Sequence, residues 1–311
     1  MSDSELSAQE LRSWLFVPGD SERKQDKALS TDADVVILDL EDSVTGAQLP
    51  HARERVAHVL RSRGRRQTPQ LWVRVNAPGS GLLKTDLAEV CAAGALPDGV
   101  VLPKVSAADQ IDDVAQYLST LETGFGRATG STRLLVIATE TAAGLLALPQ
   151  YPLTLGASPA VRERLLGLTW GAEDLGAALG ARSRHDASGE LTFTFQLART
   201  TCLLAAAALS VQAVDTVYTN LRDAQGLRRE LDNARRDGFS GKLAIHPDQI
   251  AAIHAAFVPT EGECEHAQRV VAAFAAVSGA GVASLDGQMI DRPHLLQAQR
   301  ILAAARRGRG A

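Results

Sequence analysis

The chain has 311 residues, 45% hydrophobic and 22% charged, with a formal net charge of -4. That balance is globular rather than disordered or membrane-spanning, and scattered basic residues on a mildly acidic chain argue against a nucleic-acid partner. Three cysteines, Cys91, Cys202 and Cys264, lie far apart without metal-ligand spacing and read as free thiols of a reducing compartment.

The opening stretch MSDSELSAQELRS is polar and lacks the apolar core of a secretory signal, and no apolar run reaches membrane-spanning length. The expectation is a cytoplasmic protein with no membrane partner, and with residues 1–11 as a disordered tail. Apolar runs and helical patterns then alternate. SWLFVPG (13–19) precedes SERKQDKALS, and DVVILDLED (34–42) precedes HARERVAHVLRSR. LWVRVNA (71–77) leads to KTDLAEVCAAG, and GVVLPKV (99–105) to AADQIDDVAQYLSTLE. LLVIATE (134–140) is followed by AAGLLAL, LLGLTWGAED (165–174) by LARTTCLLAAAAL, and then come AVDTVYT (213–219) and KLAIHP (242–247). Eight strand–helix units in about 250 residues predict a closed α/β architecture, the (β/α)8 TIM barrel. An open doubly wound sheet is the rival, weakened by the lack of a G-x-G-x-x-G turn after the first strand. Past residue 258 the rhythm changes. TEGECEHAQRVVAAFAAVSGAG reads as a helix ending at glycine, and VASLDGQMIDRPHLLQAQRILAAARR as an irregular stretch and then a helix. The predicted organisation is a barrel domain at 12–258 and a C-terminal helical extension at 259–311.

In such a barrel the active site lies at the C-terminal ends of the strands. Those ends carry Pro18 and Gly19, then Asp39, Glu41 and Asp42, then Arg74 and Asn76, Lys104, Glu140, Glu173 and Asp174, and His246 and Pro247. A carboxylate such as Glu140 on the rim of a buried strand is costly without a partner. It either caps the following helix or serves a site. Hard oxygen ligands from neighbouring strands, Glu140 and Asp174, suit Mg²⁺, with Glu41 and Asp42 orienting its waters. Arg74 offers a planar fork for a carboxylate or a developing oxyanion, and Lys104 adds positive charge. Each residue has a plainer reading. Asp174 is alternatively an N-cap, the Asp39–Asp42 acids partners of Arg53 or Arg55, Arg74 and Lys104 structural counter-ions, and His246 a structural histidine. The histidines show no H-x-x-x-H pair, which argues against zinc.

Nine stretches together resemble the HpcH/HpaI aldolase and citrate lyase β-subunit-like superfamily, in its acyl-CoA lyase branch. They are RSWLFVPGDSERK, DVVILDLEDSV, LWVRVNAPGS, VVLPKV, TETAAG, GLTWGAEDLGAALG, AVDTVYTNLRD, GKLAIHPDQI and GQMIDRPHLLQAQRIL. The resemblance implies a (β/α)8 barrel that uses Mg²⁺, with Mn²⁺ as an alternative, and assembles as a homotrimer or hexamer. It implies cleavage or formation of a carbon–carbon bond between an acyl-CoA thioester and a 2-oxo acid. Glu140 and Asp174 are then the implied metal ligands, Arg74 the substrate arginine, and Glu41 and Asp42 the outer carboxylates. Asp291 is the implied acid/base, supplied to a neighbouring subunit by a C-terminal lid segment. Arg12, Phe16, Pro18, Lys104, Ala172, Glu173, His246 and Pro247 are the implied substrate and CoA contacts. Arg199 is the implied equivalent of a further family arginine, and Asp286 competes with Asp291 for the acid role. A citryl-carrier-protein lyase subunit, a malyl-CoA thioesterase or aldolase, and a non-catalytic binding barrel are the alternatives.

Overall fold

Runs of four to six residues rich in Val, Leu and Ile are too short for core helices and pair instead as strands buried on both faces. The computed structural model describes residues 11–63, 68–92, 94–277 and 281–308. Eight such runs close into one parallel barrel in chain order. They are β1 (Ser13–Pro18), β2 (Val35–Asp39), β3 (Gln70–Arg74), β4 (Gly99–Leu102), β5 (Arg133–Ile137), β6 (Leu165–Thr169), β7 (Gln212–Asp215) and β8 (Gly241–Ala244). β8 closes the ring on β1 with Trp14 opposite Leu243. The expected barrel is therefore the observed one, and the open-sheet rival is excluded.

The barrel's lower interior is filled by Trp14 and Trp72, which meet edge-to-face with centroids 4.8 Å apart. Val35, Ile37, Val101 and Leu135 pack around them. Gly99 makes the room: a Cβ there would lie 2.4 Å from the Trp72 ring. The next interior positions up β1, β2 and β3 are Phe16, Asp39 and Arg74, so the filling turns from apolar to charged toward the C-terminal mouth.

The strands end earlier than the apolar runs suggest. β2 stops at Asp39, β4 at Leu102, β5 at Ile137 and β6 at Thr169. The polar residues beyond them leave the hydrogen-bond ladder and form the mouth. Glu173 and Asp174 lie in the first turn of the helix Ala172–Leu179, whose N-cap is Gly171. Glu140 is no cap either: Thr141 caps the helix Ala142–Ala147, its side chain accepting from Gly144 N–H at 2.9 Å.

The chain divides into two compact units, one spanning Leu11–Ile253 and the other running from His254 to the C-terminus. The expected N-terminal tail lies outside the described residues, apart from Leu11, which is buried. In the C-terminal unit the helix Glu261–Ala276 opens with a capping box between Thr260 and Glu263. The irregular stretch predicted after it is instead an antiparallel hairpin, β9 (Val282–Leu285) and β10 (Gln288–Asp291). Its two-residue turn, Asp286–Gly287, has φ of 51° and 78°. Asp-Gly is the pair such a turn favours, so the signal was present in the sequence. The helix Arg292–Gly308 follows directly. Ala267, Val270, Ala283, Ile290 and Ala298 form this unit's buried core. No helix among the described residues is long and apolar enough to cross a membrane.

Candidate active site

At the mouth, Arg74 ends β3 and reaches across to β2. Its Nε and Nη2 bind the two oxygens of Asp39 at 2.6 and 2.7 Å, a two-point pairing. Its Nη1 faces Glu41 Oε2 at 3.1 Å and Asp42 at 3.6 Å. The guanidinium stacks on Phe16, 4.8 Å from the ring centroid. Burial alone would raise the Asp39 pKa, but the Arg74 charge and hydrogen bonds hold it below the ordinary carboxylate range. Asp39 thus pairs with Arg74. Arg53 and Arg55 serve elsewhere, on Asp86 and Glu22.

Lys104 follows β4 in the left-handed region, φ 51°, which a side chain rarely adopts. That conformation lets one residue reach two sides of the site. Its backbone N–H donates to Glu140 Oε2 at 2.5 Å. Its ammonium binds Glu41, Asp42 at 2.9 Å and Asp174 at 3.4 Å. Burial works against the charged lysine, yet the hydrogen bonds to Glu41 and Asp42 hold its pKa above the ordinary value.

Glu140 is 3% exposed. Burial, reinforced by the neighbouring Asp174 and Glu41 charges, pushes its pKa up to about 8. Gly171, in the loop after β6, gives its side chain space, since a Cβ there would lie 2.4 Å from Glu140 Cγ. Burial also raises the Glu41 pKa, and its buried Oε2 makes no hydrogen bond although it lies beside Arg74.

These features fit a divalent cation. Beyond the Asp39–Arg74 pair, Glu41, Asp42 and Asp174 meet the Lys104 ammonium, Glu41 and Asp42 also lie against Arg74 Nη1, and Glu140 accepts from the Lys104 amide. Glu140 lies in the loop after β5 and Asp174 in the first helical turn after β6, and Lys104 touches both. Among the described residues no group of three or more His, Cys, Asp or Glu forms a metal cage alone. Two carboxylates completed by water and substrate are what Mg²⁺ takes.

The remaining expected positions divide. Phe16 supports Arg74 from below. Pro18 ends β1, its carbonyl accepting from Gln25. Ala172 is buried in the first turn after Gly171, and Glu173 pairs with Arg184. His246 is structural: its Nδ1 accepts from Asp248 N–H at 3.2 Å and it caps the turn Pro247–Gln249. Arg12 corrects an expectation, because it precedes β1 at the N-terminal end of the barrel. There it binds Asp34 through its backbone N–H at 2.6 Å and its guanidinium at 3.3 Å. A substrate at the C-terminal mouth is at the opposite end. Arg199 pairs through Nε with buried Asp215 at 3.3 Å and through Nη1 with Asp237, and stacks on Phe239, while its buried Nη2 makes no hydrogen bond. Asp286 is taken by the hairpin turn and by Arg269. Asp291 ends β10 in the C-terminal unit, beside His294. Two features escaped sequence reasoning: the Asp39–Arg74 pairing, foreshadowed only by their positions at adjacent strand ends, and His294, three residues beyond Asp291.

Residues 12–247 match the family model described as HpcH/HpaI aldolase/citrate lyase. The chain is 36% identical to the mitochondrial citramalyl-CoA lyase of Rattus norvegicus, over 94% of this chain and 86% of that protein. It is 35% identical to the (3S)-malyl-CoA thioesterase of Cereibacter sphaeroides, over 96% and 95% of the two chains. Among solved structures, CitE of Mycobacterium tuberculosis in complex with magnesium, acetoacetate and coenzyme A superposes with a TM-score of 0.75 at 34% identity, covering 95% of this chain and 98% of that one. The chain therefore belongs to the HpcH/HpaI aldolase/citrate lyase family.

Proposed function

We propose that this protein splits a 3-hydroxyacyl-CoA of the citramalyl-CoA or malyl-CoA type into an acyl-CoA and a 2-oxo acid, and runs the reverse condensation. It is an enzyme, a magnesium-dependent carbon–carbon lyase acting on CoA esters, as its family and its magnesium-bound relatives indicate. The observation that carries the reading is the buried, under-compensated Glu140 at the barrel mouth, with Asp174 near it and an arginine already fixed in place by Asp39.

Glu140 and Asp174 would hold Mg²⁺, which when bound supplies Lewis acidity to the substrate's hydroxyl and carboxylate oxygens. Asp39 occupies one edge of the Arg74 fork and sets its plane. Nη1 remains directed toward the Glu41 and Asp42 side, where it would meet charge developing on the substrate. Lys104 holds Asp42 and Asp174 by its ammonium and Glu140 by its amide, which keeps the ligands in register. Asp291 is the acid that protonates the enolate carbon in cleavage and, ionised, the base that removes the same proton in condensation. We place it in the site of a neighbouring subunit of a homotrimer. A cytoplasmic location agrees with the three cysteines, all free and buried; the rat relative is mitochondrial.

The test is a product assay with citramalyl-CoA, β-methylmalyl-CoA and malyl-CoA, each with Mg²⁺, with Mn²⁺ or with chelator. Metal-dependent release of a 2-oxo acid and an acyl-CoA is expected. Hydrolysis to free CoA without an oxo acid would move the reading to a thioesterase, the activity named for the Cereibacter relative. Inertness toward all three, with cleavage of a carrier-protein thioester instead, would make the chain a carrier-dependent lyase subunit.

A further inference from the structure

Within the C-terminal unit, His294 Nδ1 lies 2.6 Å from Asp291 Oδ1. The same nitrogen is 3.2 Å from the backbone nitrogen of Asp291, placed to accept its N–H. One ring nitrogen cannot donate to the carboxyl and accept from the amide at once. A 2.6 Å contact between them needs a proton on one side. Either the acid's O–H donates to a bare Nδ1, which also receives the amide, or Nδ1–H donates to the carboxylate. Either way a proton lies between Oδ1 and Nδ1, and Oδ2 of Asp291 is left clear of the ring.

The surroundings hold this pair in place without burying it. Asp291 is tied across the hairpin to Val282, and its neighbour Ile290 is anchored in the unit's core. Pro293 stiffens the first helical turn between the partners. The two side chains themselves are 45% and 53% exposed, which is not the burial of a packing contact.

Resting on the reading of Asp291 as the acid/base of the lyase reaction, we infer that His294 is its positioning residue, holding Oδ1 of the carboxyl through Nδ1 so that Oδ2 carries the proton to and from the substrate. In cleavage the Asp291 O–H bond breaks as a C–H bond forms on the enolate carbon, whose electron pair takes the proton. Asp291 is left as a carboxylate whose Oδ1 accepts from Nδ1–H of His294. The proton given up by the substrate's β-hydroxyl returns through solvent to refill the pair, so none is consumed. Condensation runs the same transfer backward. His294 also fixes the carboxyl rotamer, so that the oxygen not bound to the ring is the one presented to substrate.

A purely structural role exists and must be separated. A side chain at the third helical position that accepts from the cap residue's N–H is one arm of a capping box, and Gln performs that task. The experiment therefore compares His294→Gln, His294→Ala and Asp291→Asn in the full-length protein, using whichever thioester the wild type cleaves. His294→Gln is expected to keep the thermal midpoint and to leave KM within about 2-fold, while kcat falls on the order of 10-fold or more. In selectively ¹⁵N-histidine-labelled protein, the His294 Nδ1 resonance is expected to shift in Asp291→Asn, because the hydrogen bond to the carboxyl oxygen is lost. Wild-type kcat in His294→Gln alongside an inactive Asp291→Asn would overturn the inference and leave Asp291 as the acid. A fully active Asp291→Asn would overturn the reading of Asp291 itself. Should the Gln variant unfold, the resonance decides: an Nδ1 signal identical in wild type and Asp291→Asn would overturn the inference, since Nδ1 then holds no carboxyl oxygen.

Discussion

Glu122 and Glu140 are the same residue type, and both are almost entirely buried in one barrel, yet their surroundings are opposite. Glu122 accepts from two Arg164 nitrogens at 3.1 Å, from Thr132 N–H at 2.6 Å and from Gly130 N–H at 2.8 Å. Burial alone would raise its pKa, but those donors together hold it below the ordinary value. Glu140 has the Lys104 amide as its hydrogen-bond donor, with like charges nearby, and burial prevails. A saturated buried carboxylate ties a helix to its strand. An under-supplied one at the end of a strand is where the proposed cation would supply the missing charge. Burial by itself does not distinguish structure from site; the count of donors does.

Breaking each carboxylate in turn sharpens the contrast. Glu140→Gln and Asp174→Asn are expected to lower metal-dependent turnover on the order of 10³-fold or more, because the lost ligand carries several kcal/mol of Lewis-acid stabilisation. Glu140→Gln should leave the thermal midpoint of the metal-free protein unchanged in acid, below the ordinary 4.5, and raise it increasingly as pH climbs from there to about 8, because over that range the unfolded wild-type carboxyl ionises while the buried one resists. A Mg²⁺ titration paired with melting curves across that pH range checks both statements.

Glu122→Gln should do the reverse. It leaves Arg164, 0% exposed, with an uncompensated buried charge, at a cost of about 3–5 kcal/mol of stability. Activity per folded molecule should hold. The pH dependence follows from the sign of the shift. The folded pKa of Glu122 lies below its ordinary 4.5, so its contribution is complete at neutral pH and is lost as pH falls through the range below that value. Denaturant unfolding of wild type and variant across the acid range should therefore converge, with the variant's curve the flatter. A constant gap between them would show that the pair does not titrate as described.

Gly171→Ala tests the space behind Glu140 without removing a ligand. The new methyl would meet Glu140 Cγ at 2.4 Å. Displacing the carboxylate should weaken Mg²⁺ affinity on the order of 10-fold, the scale seen when supporting groups around a metal are lost. Arg12→Met marks the small end of the scale. Its pair with Asp34 lies at the far end of the barrel and is partly solvated, with side chains 22% and 14% exposed. A loss of about 1 kcal/mol or less is expected, with kcat/KM within about 2-fold of wild type.

Much of this was legible before any coordinates. The alternation of short Val-, Leu- and Ile-rich runs with helical patterns is a local property, because burial on both faces demands it, and it specifies the barrel. Arg74 ends its strand, Glu41, Asp42, Lys104, Glu140 and Asp174 lie beyond theirs, and a parallel barrel places all such ends at one mouth. The Asp286–Gly287 turn was also written in the chain, and reading its surroundings as irregular missed a period-two pattern on either side of it.

What tertiary structure alone decided is who partners whom. Arg74 meets Asp39, not the acids nearest in sequence to other arginines, because β2 and β3 are paired with those residues in register. Lys104 reaches Glu140 and Asp174 only because its backbone turns left-handed, a conformation no local preference of lysine would suggest. Arg12 belongs to a conspicuous motif yet lies at the wrong end of β1, since strand direction, not proximity in sequence, determines which face a residue serves. Composition and periodicity are sums over neighbours along the chain and survive without coordinates. Charge compensation is a sum over neighbours in space, and it became readable only when the barrel had closed.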